Sequence, residues 1–323
     1  MAKLRPADRI EITILVDNVV DLVPDTPRPD ALKAWQWVKG KHTEPTDVFA
    51  GHGISLLVST HIGNESYHVL YDTGPSPRLL AHNVSMLGIQ LRDVSEVLMS
   101  HGHDDHFGGL LWALRRIGQI DTPVYLHPRM FVKRGRLVKT EQGEHIKEMG
   151  PIPKVDEVIK SGGKPLMGTQ QRLLAGNTLL ASGEIPRTTT FETGIPGHRA
   201  LVNGTWEDDE NVIDDTFLLA VVRDKGLVVM TGCCHAGIVN TVKHATRLAG
   251  SDAIYAIVGG MHLVGRDGQS RVGPSVEFLK GVHPSLVAPA HCTGWRAVRL
   301  LAESMPDAVV NSGVGDRYTV SCD

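Results

Sequence analysis

A mixed fold of strands and helices, arranged around one histidine-rich turn, is what this sequence predicts, and three observations carry that reading. Residues 10–16 alternate and then turn wholly apolar, the pattern of a strand with one face against a core. Short apolar runs at 94–99, 227–230 and 286–290 have the length of buried strands, and each leads within three residues to a histidine or a cysteine. Between and around them, residues 77–88, 110–117, 236–249 and 274–281 read as helices.

The turn after the run at 94–99 is Ser100-His101-Gly102-His103-Asp104-Asp105-His106-Phe107-Gly108-Gly109. Neutral imidazole and carboxylate are the ligands that borderline metals such as Zn²⁺ favour. Small Gly102 between His101 and His103 lets a bent chain turn both rings toward one ion. Asp105 and His106 follow a further turn and can face a second ion about 3.5–4 Å away, the usual separation in two-metal sites. The Gly108-Gly109 pair lets the backbone pass close by without side-chain interference.

In chain order, Asp17-Asn18 closes the first strand. Residues 21–47, with four prolines and two tryptophans, read as an irregular excursion whose Trp35 and Trp37 pack it onto the body, a cleft-lining role being the alternative. Residues 53–59 and 67–71 form a strand pair, the second running into Asp72-Thr73-Gly74-Pro75, and 122–126 is another strand. Pro151, Pro153 and Gly162-Gly163 break up residues 128–175, which read as an irregular insert fit for a lid. Strands follow at 178–181, leading to Gly183-Glu184-Ile185-Pro186-Arg187, at 217–222 after Asp214-Asp215, and at 253–258, ending in Gly259-Gly260-Met261-His262-Leu263. The helix at 236–249 would aim the positive end of its dipole at an anion bound beside it. No boundary signal divides residues 1–323 into two domains.

Composition excludes several classes. Lys and Arg number 33 against 36 Asp and Glu, so there is no nucleic-acid footprint. The local run Lys133-Arg134-Gly135-Arg136 reads as a solvated loop, with a phosphate contact beside the metal turn as the alternative. Cys233, Cys234, Cys292 and Cys322 match no disulfide framework, which suits a reducing compartment. The N-terminal residues lack the apolar core of a signal peptide, and no run approaches the ~20 apolar residues that span a bilayer. A cytoplasmic protein without membrane or nucleic-acid partners is expected, its oligomeric state open.

His101-x-His103-x-Asp105-His106 resembles the metal-binding motif of the metallo-β-lactamase fold superfamily. That resemblance implies an α+β fold, a four-layer αββα sandwich with the metal centre at one edge of its two sheets. It also implies that Asp72 in Asp72-Thr73-Gly74 orients a ligand instead of binding, and that His291 after the last buried strand serves the second ion. Two departures stand out. Glu184 takes a position where many members carry a ligand histidine, so Glu184 and Arg187 become candidate substrate contacts, with metal binding by Glu184 or a plain surface ion pair as alternatives. Gly232-Cys233 replaces the usual Gly-Asp whose carboxylate bridges two metals. His235 is the expected replacement ligand with Cys233 beside it, a Cys233 thiolate on the metals being the alternative. His262, after its own strand, is a further candidate for substrate contact, with a packed histidine as the alternative. Together with Gly183–Arg187, the stretches Thr231–Asn240, Gly259–Leu263 and His291–Gly294 resemble the branch labelled 7,8-dihydropterin-6-yl-methyl-4-(β-D-ribofuranosyl)aminobenzene 5′-phosphate synthase.

The expected cofactors are two divalent metal ions, Zn²⁺ first and Mn²⁺ or Fe²⁺ as alternatives. His101, His103 and His235 would hold one, and Asp105, His106 and His291 the other. A two-metal centre lowers the pKa of a bound water toward ~7 and polarises the electrophile's oxygen, with Asp105 able to accept a proton. Such a site stays net positive and favours an anionic small molecule. Hydrolysis of an ester, lactone or phosphoester by metal-bound hydroxide is the leading reaction. A synthase-type transfer and metal binding without turnover are the competing readings.

Overall fold

Ile10, Ile12 and Ile14 point one way along the first strand and meet a second sheet, while Leu15 and Val16 pack against helices on the other side. This period-two sorting builds the layers. The computed structural model describes residues 3–24, 27–38, 47–141 and 143–323, so the N-terminal stretch and the excursion at 21–47 fall partly outside the described residues. Among the described residues, one sheet runs in the order Ala31–Leu32, Arg317–Ser321, Arg9–Val16, Ser55–Ile62, Glu65–Tyr71, Glu96–Leu98, Thr122–Leu126, Gly163–Met167. A second runs Arg172–Leu174, Leu179–Ala181, Phe217–Val222, Gly226–Thr231, Ile254–Gly260, Leu286–Ala290. Leu56, Val58, Val69 and Tyr71 of the first face Leu218, Val228, Val258 and Leu286 of the second. Helices Pro77–Met86 and Leu110–Ile117 cover the outer face of the first sheet, and Ile238–Ala249, Gly265–Val282 and Trp295–Ser304 that of the second. The result is the αββα sandwich.

In both sheets the strands that lead to the metal motifs are parallel. Glu65–Tyr71, Glu96–Leu98 and Thr122–Leu126 form one such set, and Gly226–Thr231, Ile254–Gly260 and Leu286–Ala290 the other. Parallel strands bring their carboxyl ends to one edge, where open α/β sheets place their ligands.

Two expectations need correction. Residues 128–175 are not an irregular insert. They hold the hairpin Lys133–Thr140 and Gly143–Glu148, the helix Val155–Lys160 and the edge strand Gly163–Met167. With His198–Val202 and Thr205–Asp208 the hairpin forms a small third sheet, in the order Thr205–Asp208, His198–Val202, Lys133–Thr140, Gly143–Glu148. Its two edge strands, Thr205–Asp208 and Gly143–Glu148, are largely exposed, so they lack the apolar alternation that marks a strand in sequence. Trp37 packs the excursion onto the body as expected, its indole N–H donating to the Gly315 carbonyl at 2.8 Å, while that of Trp35 donates to the Leu22 carbonyl within the excursion at 2.7 Å.

The basic run is not a solvated loop either. Arg134 is buried and forked between Asp209 and Asp214, and Asp214 in turn accepts the Gly102 N–H of the histidine turn at 2.8 Å. Removing the guanidinium takes the arginine partner from buried Asp214 and leaves Asp209 with Arg129, and breaking a buried pair in this way typically costs about 3–5 kcal/mol. Arg134→Met is therefore expected to lower unfolding free energy by about that amount in urea titration, whereas Lys133→Ala on the exposed side should stay within about 0.5 kcal/mol. Equal effects from the two would return the run to the surface.

Candidate metal centre

Each sequence motif sits in the turn that follows its strand, and several of these turns are strained. Asp72, Cys234, His262 and His291 have φ of 57°, 67°, 45° and 49°, a left-handed region that costs non-glycine residues energy and clusters at functional sites. Gly232 has no room for a side chain: a Cβ there would lie 2.6 Å from Ser100 Cβ and 2.7 Å from Asp72 Oδ2. Gly108 and Gly109 likewise press on the backbone of Pro75 and Thr73, the close pass their sequence suggested.

Hydrogen bonding sets which nitrogen of each ring faces inward. The Ser100 hydroxyl donates its one proton to Asp72 Oδ2 at 2.6 Å, so Ser100 Oγ accepts from His101 Nδ1–H at 2.9 Å. Neutral His101 then presents a bare Nε2. His198 Nδ1 faces the Asp209 carbonyl at 3.0 Å and must carry hydrogen, leaving its Nε2 to accept from His103 Nε2–H at 3.0 Å. Neutral His103 then presents a bare Nδ1. The two bare nitrogens lie 2.9 Å apart, and His235 Nε2 is 3.0 and 3.2 Å from them. Burial first, and neighbouring positive groups after it, push all three rings well below the ordinary histidine range. Two acceptors pointing at each other repel unless a cation lies between them.

A second group adjoins the first. His106 Nδ1–H donates to Asp72 Oδ2 at 2.6 Å and His291 Nδ1–H to Asn18 Oδ1 at 3.0 Å, which turns both Nε2 atoms inward. Each of those Nε2 atoms is 3.3 Å from Cys233 Sγ, and His291 Nε2 is also 3.3 Å from Asp105 Oδ2. Burial opposes charge on His106, yet Asp105 and Asp72 raise it to about 9. Burial likewise works against an ionised Asp105, but His106 and His291 hold it well below the usual carboxylate range. Burial pushes the Cys233 thiol up. Asp105, His106, Cys233 and His291 form one potential donor set, His101, His103 and His235 another, and Cys233, His235 and His262 a third that shares members with both.

These groups floor a cleft of about 710 Å³, whose walls include His262, Cys292, Arg136, Lys147 and Arg271. Among the described residues, both metal turns hang on the aspartates before Phe217–Val222. Asp214 holds Gly102, and Asp215, raised to about 7 by burial, accepts the Ala236 N–H at 2.8 Å.

A family model described as the metallo-beta-lactamase superfamily matches residues 55–291. The chain belongs to that superfamily. It is 28% identical over 260 residues to the 7,8-dihydropterin-6-methyl-4-(beta-D-ribofuranosyl)-aminobenzene-5'-phosphate synthase of Methanocaldococcus jannaschii, covering 79% of this chain and 85% of the relative. An uncharacterized protein of the same organism is 29% identical over 259 residues, covering 79% of this chain and 89% of that one. The metal-dependent hydrolase Tm1679 of the beta-lactamase superfamily shares the fold, with a TM-score of 0.68, 24% identity and coverage of 97% of this chain and 100% of that one.

Superfamily proteins typically bind metals, and this member gathers all six expected ligand residues at one place. Cys233, expected beside the ligands, has its sulfur among the atoms of the second potential donor set. His262 lies on the cleft wall, its ring centroid 4.4 Å from that of His235. Glu184 and Arg187 do not line the cleft. Glu184 pairs with His127 at 3.0 Å, and Arg187 donates to the His235 carbonyl at 3.0 Å. The helix dipole is not free for a ligand either, because Glu192 accepts the N–H groups of Val239 and Asn240 at 2.9 Å each. Sequence reading passed over Asn18, Ser100, His198 and Asp209, which orient the rings. Asp72 fulfils the orienting geometry, and Asp72→Asn tests its worth. Asparagine tolerates the left-handed backbone but turns an NH₂ toward donors, so metal affinity should fall about 10–100-fold in chelator competition. An unchanged affinity would show that the rings hold their orientation without it.

Proposed function

We propose that this protein is a metal-dependent hydrolase that uses two divalent ions on an anionic small molecule carrying an ester, lactone or phosphoester bond. One observation carries the reading: His101 Nε2 and His103 Nδ1 face each other as acceptors at 2.9 Å, beside a second set of inward-turned donors. His101, His103 and His235 would hold one ion, and Asp105, His106, His291 and Cys233 the other. Divalent ions so placed, Zn²⁺ first among them, would acidify water and polarise the substrate's oxygen. The chain supplies the rest. Asp105 is kept ionised as a metal donor, His262 flanks the substrate, and the two ions favour an anion in a cleft whose walls carry Arg136, Lys147 and Arg271 beside Asp104 and Glu148. A buried thiol in the donor set favours a reducing, cytoplasmic setting, since oxidation would remove it.

A second reading follows from the relative named as a synthase, whose name specifies a phosphate-bearing product. In that case the same cleft would join two substrates without water as reactant. Turnover of ester, lactone and phosphoester panels in ¹⁸O-water separates the two. Label in the product, lost on chelation and restored by metal, is the expected result. Metal-dependent product without label would favour the synthase, and no transition metal after reconstitution would end both readings.

A further inference from the structure

We infer that His198 is a positioning residue of the metal centre, fixing His103 with Nδ1 toward the ion, and that the small third sheet is its support. The inference rests on the two-ion reading above. His198 opens the strand His198–Val202 and is buried, its Nε2 lying 3.0 Å from His103 Nε2. Histidine can ligate through either nitrogen, and His103 is the only ring of its set that turns Nδ1 inward; His101 and His235 turn Nε2. That choice is imposed from outside the turn. The Asp209 carbonyl at 3.0 Å and its carboxylate at 3.4 Å can only accept, so neutral His198 must put its hydrogen on Nδ1 and accept at Nε2. The Asp209 N–H donates back to the His198 carbonyl at 3.0 Å, closing the pair. Asp209 is itself gripped by Arg129 and Arg134 at 2.9 Å each, and Arg134 also reaches the aspartate that holds Gly102. The hairpin expected to be a lid is thus tied to the metal turn through a buried ion-pair network, as a scaffold is and a mobile flap is not. Partners that orient ligand histidines are usually carboxylates, carbonyls or water; here a second imidazole takes the role, relayed from a backbone carbonyl.

Two substitutions split the two ends of His198. His198→Asn keeps a group near the Nδ1 position, preserving the Asp209 side, but falls short of His103. His198→Gln reaches about as far as Nε2 and offers an amide oxygen to His103 Nε2–H. Metal binding to chelator-stripped protein would be followed with Zn²⁺ in competition with a chromophoric chelator, and with Co²⁺ by its visible absorption. The Asn variant should bind one of two equivalents about 10–100-fold more weakly, with an altered Co²⁺ spectrum, and the Gln variant should stay within a few-fold of the parent. Equal affinities in Asn and Gln variants, or equal loss of fold in both, would overturn the inference while leaving two-metal binding by the parent intact. A parent protein that takes up no metal would overturn the two-ion reading and this inference with it.

Discussion

His101→Ala and His291→Ala proteins should each purify with one metal equivalent fewer than the parent, and neither should turn over substrate. His101 Nε2 meets His103 and His235, whereas His291 Nε2 meets Cys233 and Asp105, so the two rings serve different donor sets. Truncating a ligand removes one corner of a set and leaves the others as repelling acceptors. The effect should exceed the about 10–100-fold expected when only an orienting partner is lost. Elemental analysis beside activity distinguishes the cases. A His291→Ala protein with both metals and full activity would show that the last strand end does not serve the centre.

Cys233 gives the second large effect. Its sulfur lies 3.3 Å from Nε2 of both His106 and His291. Cys233→Ala should lose the ion held by Asp105, His106 and His291, because a bare cavity replaces the donor nearest both histidines. Cys233→Asp should keep two ions, since a carboxylate spans a metal pair about 3.5–4 Å apart. His235→Ala should lose the other ion, as His235 Nε2 completes the set with His101 and His103. Metal stoichiometry of the three variants tests the division directly. Two ions retained in Cys233→Ala would demote the sulfur to a packed neighbour, while two retained in His235→Ala would remove His235 from the ligand set.

The parts of the fold that sequence made visible are those buried on a regular period. The strands Thr122–Leu126 and Leu286–Ala290 and the helix Leu110–Ile117 lie where their apolar residues placed them, because burial of one face, or of both faces in Leu286–Ala290, imposes its pattern locally. The third sheet was invisible for the opposite reason. Gly143–Glu148 is exposed on nearly every residue, so its pairing comes from the neighbouring strand and not from its own side chains. Helix Gly265–Val282 extends well before the residues that looked helical, its first turns glycine-rich and without a clear apolar face.

For the metal centre the division follows distance along the chain. His101, His103, Asp105 and His106 share one turn, so their chemistry and spacing could be read from the residues alone. His235 and Cys233 meet that turn across 134 and 127 residues, and His198 across 95. Residue type could nominate His235 and His291, each standing after an apolar strand and resembling a known motif. It could not nominate His198, which stands in no motif, nor decide that Arg134 is buried while its neighbour Lys133 is exposed. Those outcomes depend on which groups the packed sheets bring within about 3 Å, where a hydrogen bond selects one tautomer and a carboxylate demands a partner. The sequence determined that a metal-type turn closes a buried strand in this protein. Only the tertiary structure decided which nitrogens face inward, because their partners come from strands far apart in the chain.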